Sequence, residues 1–331
     1  MSFTENSVRN MNLEAAIWYL FASREFFEAA ASESEATLEW FGKLAISKHV
    51  ADFGRNNQIF DTFKTWTRDF RRGAELAALG DYEFIWDTAR CVSGDVRGMM
   101  EQPLLSWMTK AEYREFSEVK INRMMSYARQ ITHVLNNAMT AAECFFDRDP
   151  DCPERADDDD GFAGEEIIKS FRSNIERFDN MLSWKLPEPL KEYIIDKSTS
   201  CMTGEEVPWT GVWYPDTGLE RHSLTFAIKG LRMQPAFRIV KTKEELKSEG
   251  AYLPRSETVA VATLWHPVIP SLQPEERTRE LLAKAGQLCP KAGIWQTQDV
   301  NASERNFKMN EAMANLGSAY GLTVWRWLRD G

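Results

Sequence analysis

The sequence predicts an α+β protein, with a helical N-terminal domain followed by two small related β-rich units. Three observations predict it. Apolar residues recur at helical spacing through residues 1–197. Beyond Ser198 the chain turns to β-branched and aromatic residues punctuated by Gly and Pro. In that C-terminal region a single order of residues comes twice: Cys201, Gly211-Val212-Trp213, Phe226 and Met233, then Cys289, Gly293-Ile294-Trp295, Phe307 and Met313. Each copy closes on a strand-like run, Thr258 to Trp265 and Leu322 to Leu328. Counted from Cys201 to Cys289 the copies lie 88 residues apart, which suits a duplicated small β unit and not a solenoid. The expected divisions are a helical domain over 1–197, a first β-rich unit over 198–270, and a linking helix with the second β-rich unit over 271–331.

The helical half is read from its stripes and caps. Leu13, Ile17, Leu20 and Phe27 share one face of the first segment. Ser32-x-x-Glu35 has the capping-box pattern and is expected to start a second helix near Ala36. Ile59, Phe63, Trp66 and Phe70 form a one-sided stripe. Gly73 and Gly80 are expected to bracket a short turn, with Asp81 capping the next helix. A second capping box, Thr109-x-x-Glu112, opens the longest expected helix, running to about Phe146. Its apolar stripe is Tyr127, Ile131, Val134, Leu135, Ala138, Met139 and Ala142, and the face opposite carries Arg129, Gln130, His133, Asn136 and Asn137. A helix from about Gly164 to Trp184 follows a charged loop, and Pro187 and Pro189 open a short helix to Ile195. In the β half, Lys241 to Gly250 reads as a helical insert, and Pro274 to Ala285 as a linking helix with Pro in its first turn.

Composition is that of an ordinary globular chain: 331 residues, 43% hydrophobic and 27% charged. The five cysteines are odd in number and widely spaced, which does not suggest a disulfide framework. No charged-then-apolar leader opens the chain and no apolar run approaches membrane-spanning length, so a cytoplasmic protein without membrane contact is expected. The net charge of −10 is unevenly placed. Residues 1–200 hold 35 Asp and Glu against 24 Lys and Arg, a balance of −11, whereas residues 201–331 hold 15 against 16, a balance of +1. An acidic half repels nucleic acid and favours a basic partner, although solubility alone also explains an acidic chain.

Motifs that carry chemistry are scarce. There is no Gly-x-Ser-x-Gly, phosphate-binding Gly loop or His-Glu-x-x-His. The four histidines (His49, His133, His222 and His266) stand apart from one another, and Cys201 and Cys289 have no close Cys or His for zinc. No catalytic residue, cofactor or metal is expected. The acidic loop is the one tempting feature. Asp147-x-Asp149-x-Asp151 with Asp158 at the twelfth place has the spacing of calcium ligands, but Cys152 stands where that loop needs Gly and Arg155 at the ninth place. A solvated hinge, or a contact surface for basic groups, fits it better. Its carboxylates Asp147, Asp149, Asp151, Glu154, Asp157, Asp158, Asp159 and Asp160 are therefore the candidate partner-binding residues.

The repeated residues carry a resemblance. Cys201, Gly211, Trp213, Phe226, Gly230, Met233 and Pro235, with Cys289, Gly293, Trp295, Phe307 and Met313, resemble the tail of bacterial polymorphic-toxin immunity proteins associated with type VI secretion, near immunity families seventy-one and seventy-two. Gln234 departs from the family's order by separating Met233 from Pro235. The resemblance implies a protein that neutralises a co-encoded toxin by stoichiometric binding, with no chemistry of its own. An acidic inhibitor suits a basic, nuclease-like toxin. The alternative is an adaptor or chaperone that loads an effector onto a type VI secretion apparatus.

Overall fold

The fold is that of a computed structural model of the chain. It describes residues 11–50, 56–141, 171, 186, 190–216, 224–241, 243–250, 257–271, 281–297, 303–316 and 323–331. The helical half comprises α1 (Met11–Phe21), α2 (Arg24–Ser47), α3 (Asn56–Ala77), α4 (Glu83–Met100), α5 (Lys110–Arg114) and α6 (Asn122–Asn136). Two π-helical stretches, Glu115–Ile121 and Asn137–Ala141, continue the last of these into one long helix. α2 packs on α3, α3 on α4, and α4 on α6. The stripe Ile59, Phe63, Trp66 and Phe70 is buried, as are Tyr127, Ile131, Val134, Leu135 and Ala138.

Three local expectations change. The chain breaks before Arg24, not near Ala36: Ser23 is the cap, its hydroxyl accepting from Phe26 N at 3.1 Å, while Ser32 lies inside α2 and donates to Glu28 O. The apolar face runs on across this break, which is why periodicity alone hides it. Gly73 does not bracket a turn but sits inside α3, where an added Cβ would come within 2.7 Å of Ile85 Cδ1; only Gly80, at φ +88°, ends a helix. The expected polar face of the long helix is partly interior, with Gln130 and Asn137 buried, because α1, α2 and α4 all contact α6.

The capping box at α5 holds. Thr109 Oγ1 accepts from Glu112 N, and the Glu112 carboxylate accepts from Thr109 N at 2.7 Å while also meeting Lys48 Nζ at 2.9 Å. The Lys48 contact, then the Thr109 amide, hold the Glu112 carboxyl at about 2, below its ordinary 4.5. A lowered folded-state value means that the contribution is present above about 4.5 and lost as pH falls toward 2. The melting difference between wild type and Glu112→Gln is therefore expected to be full near neutrality and to shrink across that window. A difference that stays constant with pH would contradict this role.

The β half holds eleven strands and one short helix among the described residues. A five-stranded antiparallel sheet has the order β1 (Tyr193–Ile195), β7 (Leu264–Pro270), β3 (Gly211–Pro215), β4 (Thr225–Ala227), with β2 (Cys201–Met202) also on β7. A four-stranded sheet has the order β10 (Glu304–Phe307), β9 (Gly293–Thr297), β11 (Val324–Arg329), β8 (Leu282–Lys284). A separate ribbon of β5 (Ala236–Lys241) and β6 (Glu257–Val261) encloses α7 (Lys243–Ser248), the expected helical insert. Two helix expectations are corrected: Tyr193–Ile195 is a strand paired with Val268 to Pro270, and Leu282–Lys284 is a strand paired with β11. Both segments are short, and sheet pairing overrides their local helical pattern. The remainder of the expected linking helix lies outside the described residues.

The two β units are copies of one scaffold, in a register different from the one the cysteines suggest. Trp213 pairs with Thr225 and Pro267; Trp295 pairs with Arg305 and Trp327. The backbone bonds correspond one for one. Gly204 N donates to Met233 O as Gly286 N does to Met313 O, both at 2.8 Å. Val207 N reaches Leu231 O as Cys289 N reaches Glu311 O, and Gly230 N reaches Val207 O as Asn310 N reaches Cys289 O. Cys289 thus corresponds to Val207, and Cys201 to Ala283; the offset is 82 residues as far as Trp213 and Trp295, and 80 from Ala227 and Phe307 to Met233 and Met313. Phe307 lies opposite Gly293 where Ala227 lies opposite Gly211, so Phe226 is not its equivalent. The closing strand of the first unit is Leu264–Pro270, because Thr258 to Val261 belong to the ribbon.

Candidate partner-binding surfaces

Each unit has its own small core. Cys201, Val207, Trp213, Ala227, Met233 and Trp265 fill the first, with Ala236; Ala283, Cys289, Trp295, Phe307, Met313 and Trp325 fill the second at the same six places. The smaller places differ in size: Val207 and Ala227 in the first core are Cys289 and Phe307 in the second. Trp213 Nε1 donates to Trp209 O at 3.3 Å and Trp295 Nε1 to Lys291 O at 3.0 Å, satisfying both buried indoles. Trp325 Nε1 donates to Ala314 O at 2.7 Å. In the first unit the Thr203 hydroxyl stands in that path, accepting from Trp265 Nε1 at 3.3 Å. Of the tail residues, Cys201, Gly211, Trp213, Met233, Pro235, Cys289, Gly293, Trp295, Phe307 and Met313 are buried, so they build the scaffold and offer no contact surface, whereas Gly230 is exposed in its turn at φ +87°. Phe226 is buried too, but in the core of the helical half. Burial, with the Glu205 carboxylate adding to it, pushes the Cys201 thiol up to about 11 and keeps it protonated at neutral pH.

The outer face of the first unit is docked. Val212, Leu224, Phe226, Ile228 and Val268 join the helical core. Helix α1 holds the sheet by three polar side chains. Asn12 Oδ1 accepts from Tyr193 N at 3.0 Å, and the wholly buried Glu14 accepts from Leu224 N at 2.8 Å. Tyr19 OH donates to Val268 O at 2.6 Å, between β3 and β7, and burial raises its pKa well above that of an ordinary phenol.

The second unit keeps the scaffold but exchanges the character of its surfaces. Where the first docks Leu224, Phe226 and Ile228, the second carries exposed Glu304, Asn306 and Lys308. Cross-strand polar pairs cover this face, Arg326 Nη2 with Gln296 Oε1 at 3.3 Å and Arg329 Nη2 with Glu304 Oε2 at 3.1 Å. The two turns at the end of the unit, Lys284 to Gln287 and Lys308 to Glu311, are joined by Asn310 N to Cys289 O and by the Leu288–Ala312 bridge. This knuckle changes the opposite way. The charged Glu205, Glu206, Lys229 and Arg232 of the first unit become Gln287, Leu288, Met309 and Ala312. Leu288 is 63% exposed and Met309 65%. In the sequence the Pro-x-x-Gly-x-Trp string at Pro208 and Pro290 sets the 82-residue register for Leu288, and the Met233–Met313 match sets the 80-residue register for Met309 and Ala312.

The acidic candidates Asp147, Asp149, Asp151, Glu154 and Asp157 to Asp160 lie outside the described residues, and with them the calcium-like spacing. Among the described histidines, His266 is buried with Nδ1 3.0 Å from Thr199 O, His133 lies beside Trp18, and His49 ends α2 at φ 52°. No three described His, Cys, Asp or Glu side chains are grouped to hold a metal ion. No described helix is long and apolar enough to cross a membrane. Comparison with protein-family models, curated proteins and solved structures finds no match to this chain.

Proposed function

We propose that the protein is an immunity protein that binds a cognate secreted toxin and neutralises it stoichiometrically, in the cytoplasm of the cell that makes both. The observation that supports this reading is the duplicated Trp-centred tail, whose residues carry the resemblance to type VI-associated immunity proteins. Neutralisation by occlusion asks for a stable scaffold and a recognition surface, not for reacting groups. The acidic half of the chain, at −11, is the first contact for a basic, nuclease-like toxin, because opposite charge speeds encounter.

Co-expression with the product of the neighbouring gene tests the reading, scored by survival and co-purification. Rescue together with a complex is expected; a complex without rescue favours an adaptor that delivers the effector. Replacing Asp157 to Asp160 with Asn is expected to slow association at low salt and to matter less at high salt, since rim charge acts mainly on encounter. An association rate indifferent to the four carboxylates would remove that segment from the contact.

A further inference from the structure

The second β unit differs from the first at two surfaces and in opposite senses, and the second of these changes tells where a partner sits. Two copies with one core are under the same folding constraint, so a change confined to the outside reflects what each outside meets. The docked face became polar in the second unit, as a face turned to solvent must. The solvent-facing knuckle became apolar, which solvent does not favour. A Leu and a Met at 63% and 65% exposure, next to Ala312 across the bridge, leave apolar area in water that a partner would remove.

The charges around the knuckle identify the chemistry of that partner. Met202 and Ile228 of the first unit become Lys284 and Lys308, one in each turn. Among the described residues neither lysine has an ion pair, and the Glu311 carboxylate, at the place of Leu231, accepts from Lys308 N at 2.8 Å and lies 4.0 Å from Arg305 Nη2. The knuckle has thus lost two carboxylates, Glu205 and Glu206, together with two cations, Lys229 and Arg232, and what it gains is Lys284 and Lys308 at its border, where the first unit has the uncharged Met202 and Ile228. Such a surface complements an apolar patch bordered by carboxylates.

We propose that the knuckle formed by Leu288, Met309 and Ala312, with Lys284 and Lys308 at its border, is a contact surface for the toxin, seated on an apolar, acid-rimmed patch. This rests on the immunity reading and adds a second contact to it. The acidic half and the cation-bordered knuckle have opposite sign, so they engage different parts of the toxin.

The test is calorimetric titration of a catalytically inactivated toxin with the full chain. Leu288→Glu combined with Met309→Glu is expected to weaken binding on the order of a hundredfold, with the melting temperature unchanged. Glu206→Gln with Lys229→Gln, at the equivalent places of the first unit, is expected to bind as wild type does. Lys284→Glu with Lys308→Glu is expected to slow association most at low salt. The proposal is overturned if the Leu288/Met309 variant binds toxin normally. In that case sedimentation shows whether the knuckle instead joins two copies of this chain, and co-pelleting with phosphatidylserine vesicles shows whether it meets a membrane. If wild type itself fails to bind the toxin, the immunity reading falls, and this contact with it.

Discussion

Trp295→Ala is expected to unfold the second β unit while leaving the helical half folded. Trp295 is fully buried at the centre of a six-residue core that includes no residue of the helical half. Truncating a buried Trp to Ala costs about 3–5 kcal/mol, through lost burial and the cavity left behind. It also leaves the Lys291 carbonyl without the indole N–H it accepts at 3.0 Å. A core of six residues has no reserve to absorb such a loss. Trp213→Ala removes the equivalent side chain from a unit whose outer face is docked on α1 and α6, so docking contacts oppose its unfolding. Hydrogen exchange would separate the two. Protection over β8 to β11 should collapse in Trp295→Ala and persist over α2, α3 and α6. Uniform loss of protection across the chain would show that the second unit is not a separate cooperative element.

Gly293→Ala is the second change with a large expected effect. Gly293 has φ +141°, and an added Cβ would lie 2.5 Å from Arg329 O and 2.6 Å from Trp327 Nε1. The first obstacle is backbone, which cannot step aside without breaking the pairing of β9 with β11. Backbone strain together with this overlap is expected to cost about 3 kcal/mol or more. Gly80→Ala serves as the comparison, since Gly80 also has positive φ, +88°, but nothing within 4 Å of an added Cβ. Its cost is expected to be about 1–2 kcal/mol, the left-handed penalty alone. Chemical denaturation of both variants checks this, and equal destabilisation would mean that the close approach at Gly293 is accommodated.

What the sequence makes legible follows the range of the interactions involved. The stripe Ile59, Phe63, Trp66 and Phe70 and the box Thr109 with Glu112 are set by neighbours within a few turns of one helix, and both stand as expected. Ser23 escapes a reading by period, because a cap inside a continuous apolar face leaves no gap in it. Gln130 and Asn137 look solvent-facing in the sequence because nothing local announces that three helices contact α6. The duplication is visible in Gly-x-Trp and Met, but pairing Cys201 with Cys289 shifts the frame by six residues, the difference between 88 and 82. Chemical likeness misleads there: the place of Cys289 is held by Val207, an apolar side chain of similar size. The knuckle emerges only in the corrected frame, since Leu288 and Met309 draw no notice until compared with Glu206 and Lys229.

Stoichiometric neutralisation can be read from a titration. Purified toxin at a concentration well above the dissociation constant is mixed with increasing amounts of this protein, and residual toxin activity is measured. A linear fall that ends at one equivalent is expected, with a complex of matching composition in sedimentation. Undiminished toxin activity at excess inhibitor would contradict it, and so would progressive loss of activity at amounts far below one equivalent, which would mark this protein as an enzyme acting on the toxin or its product.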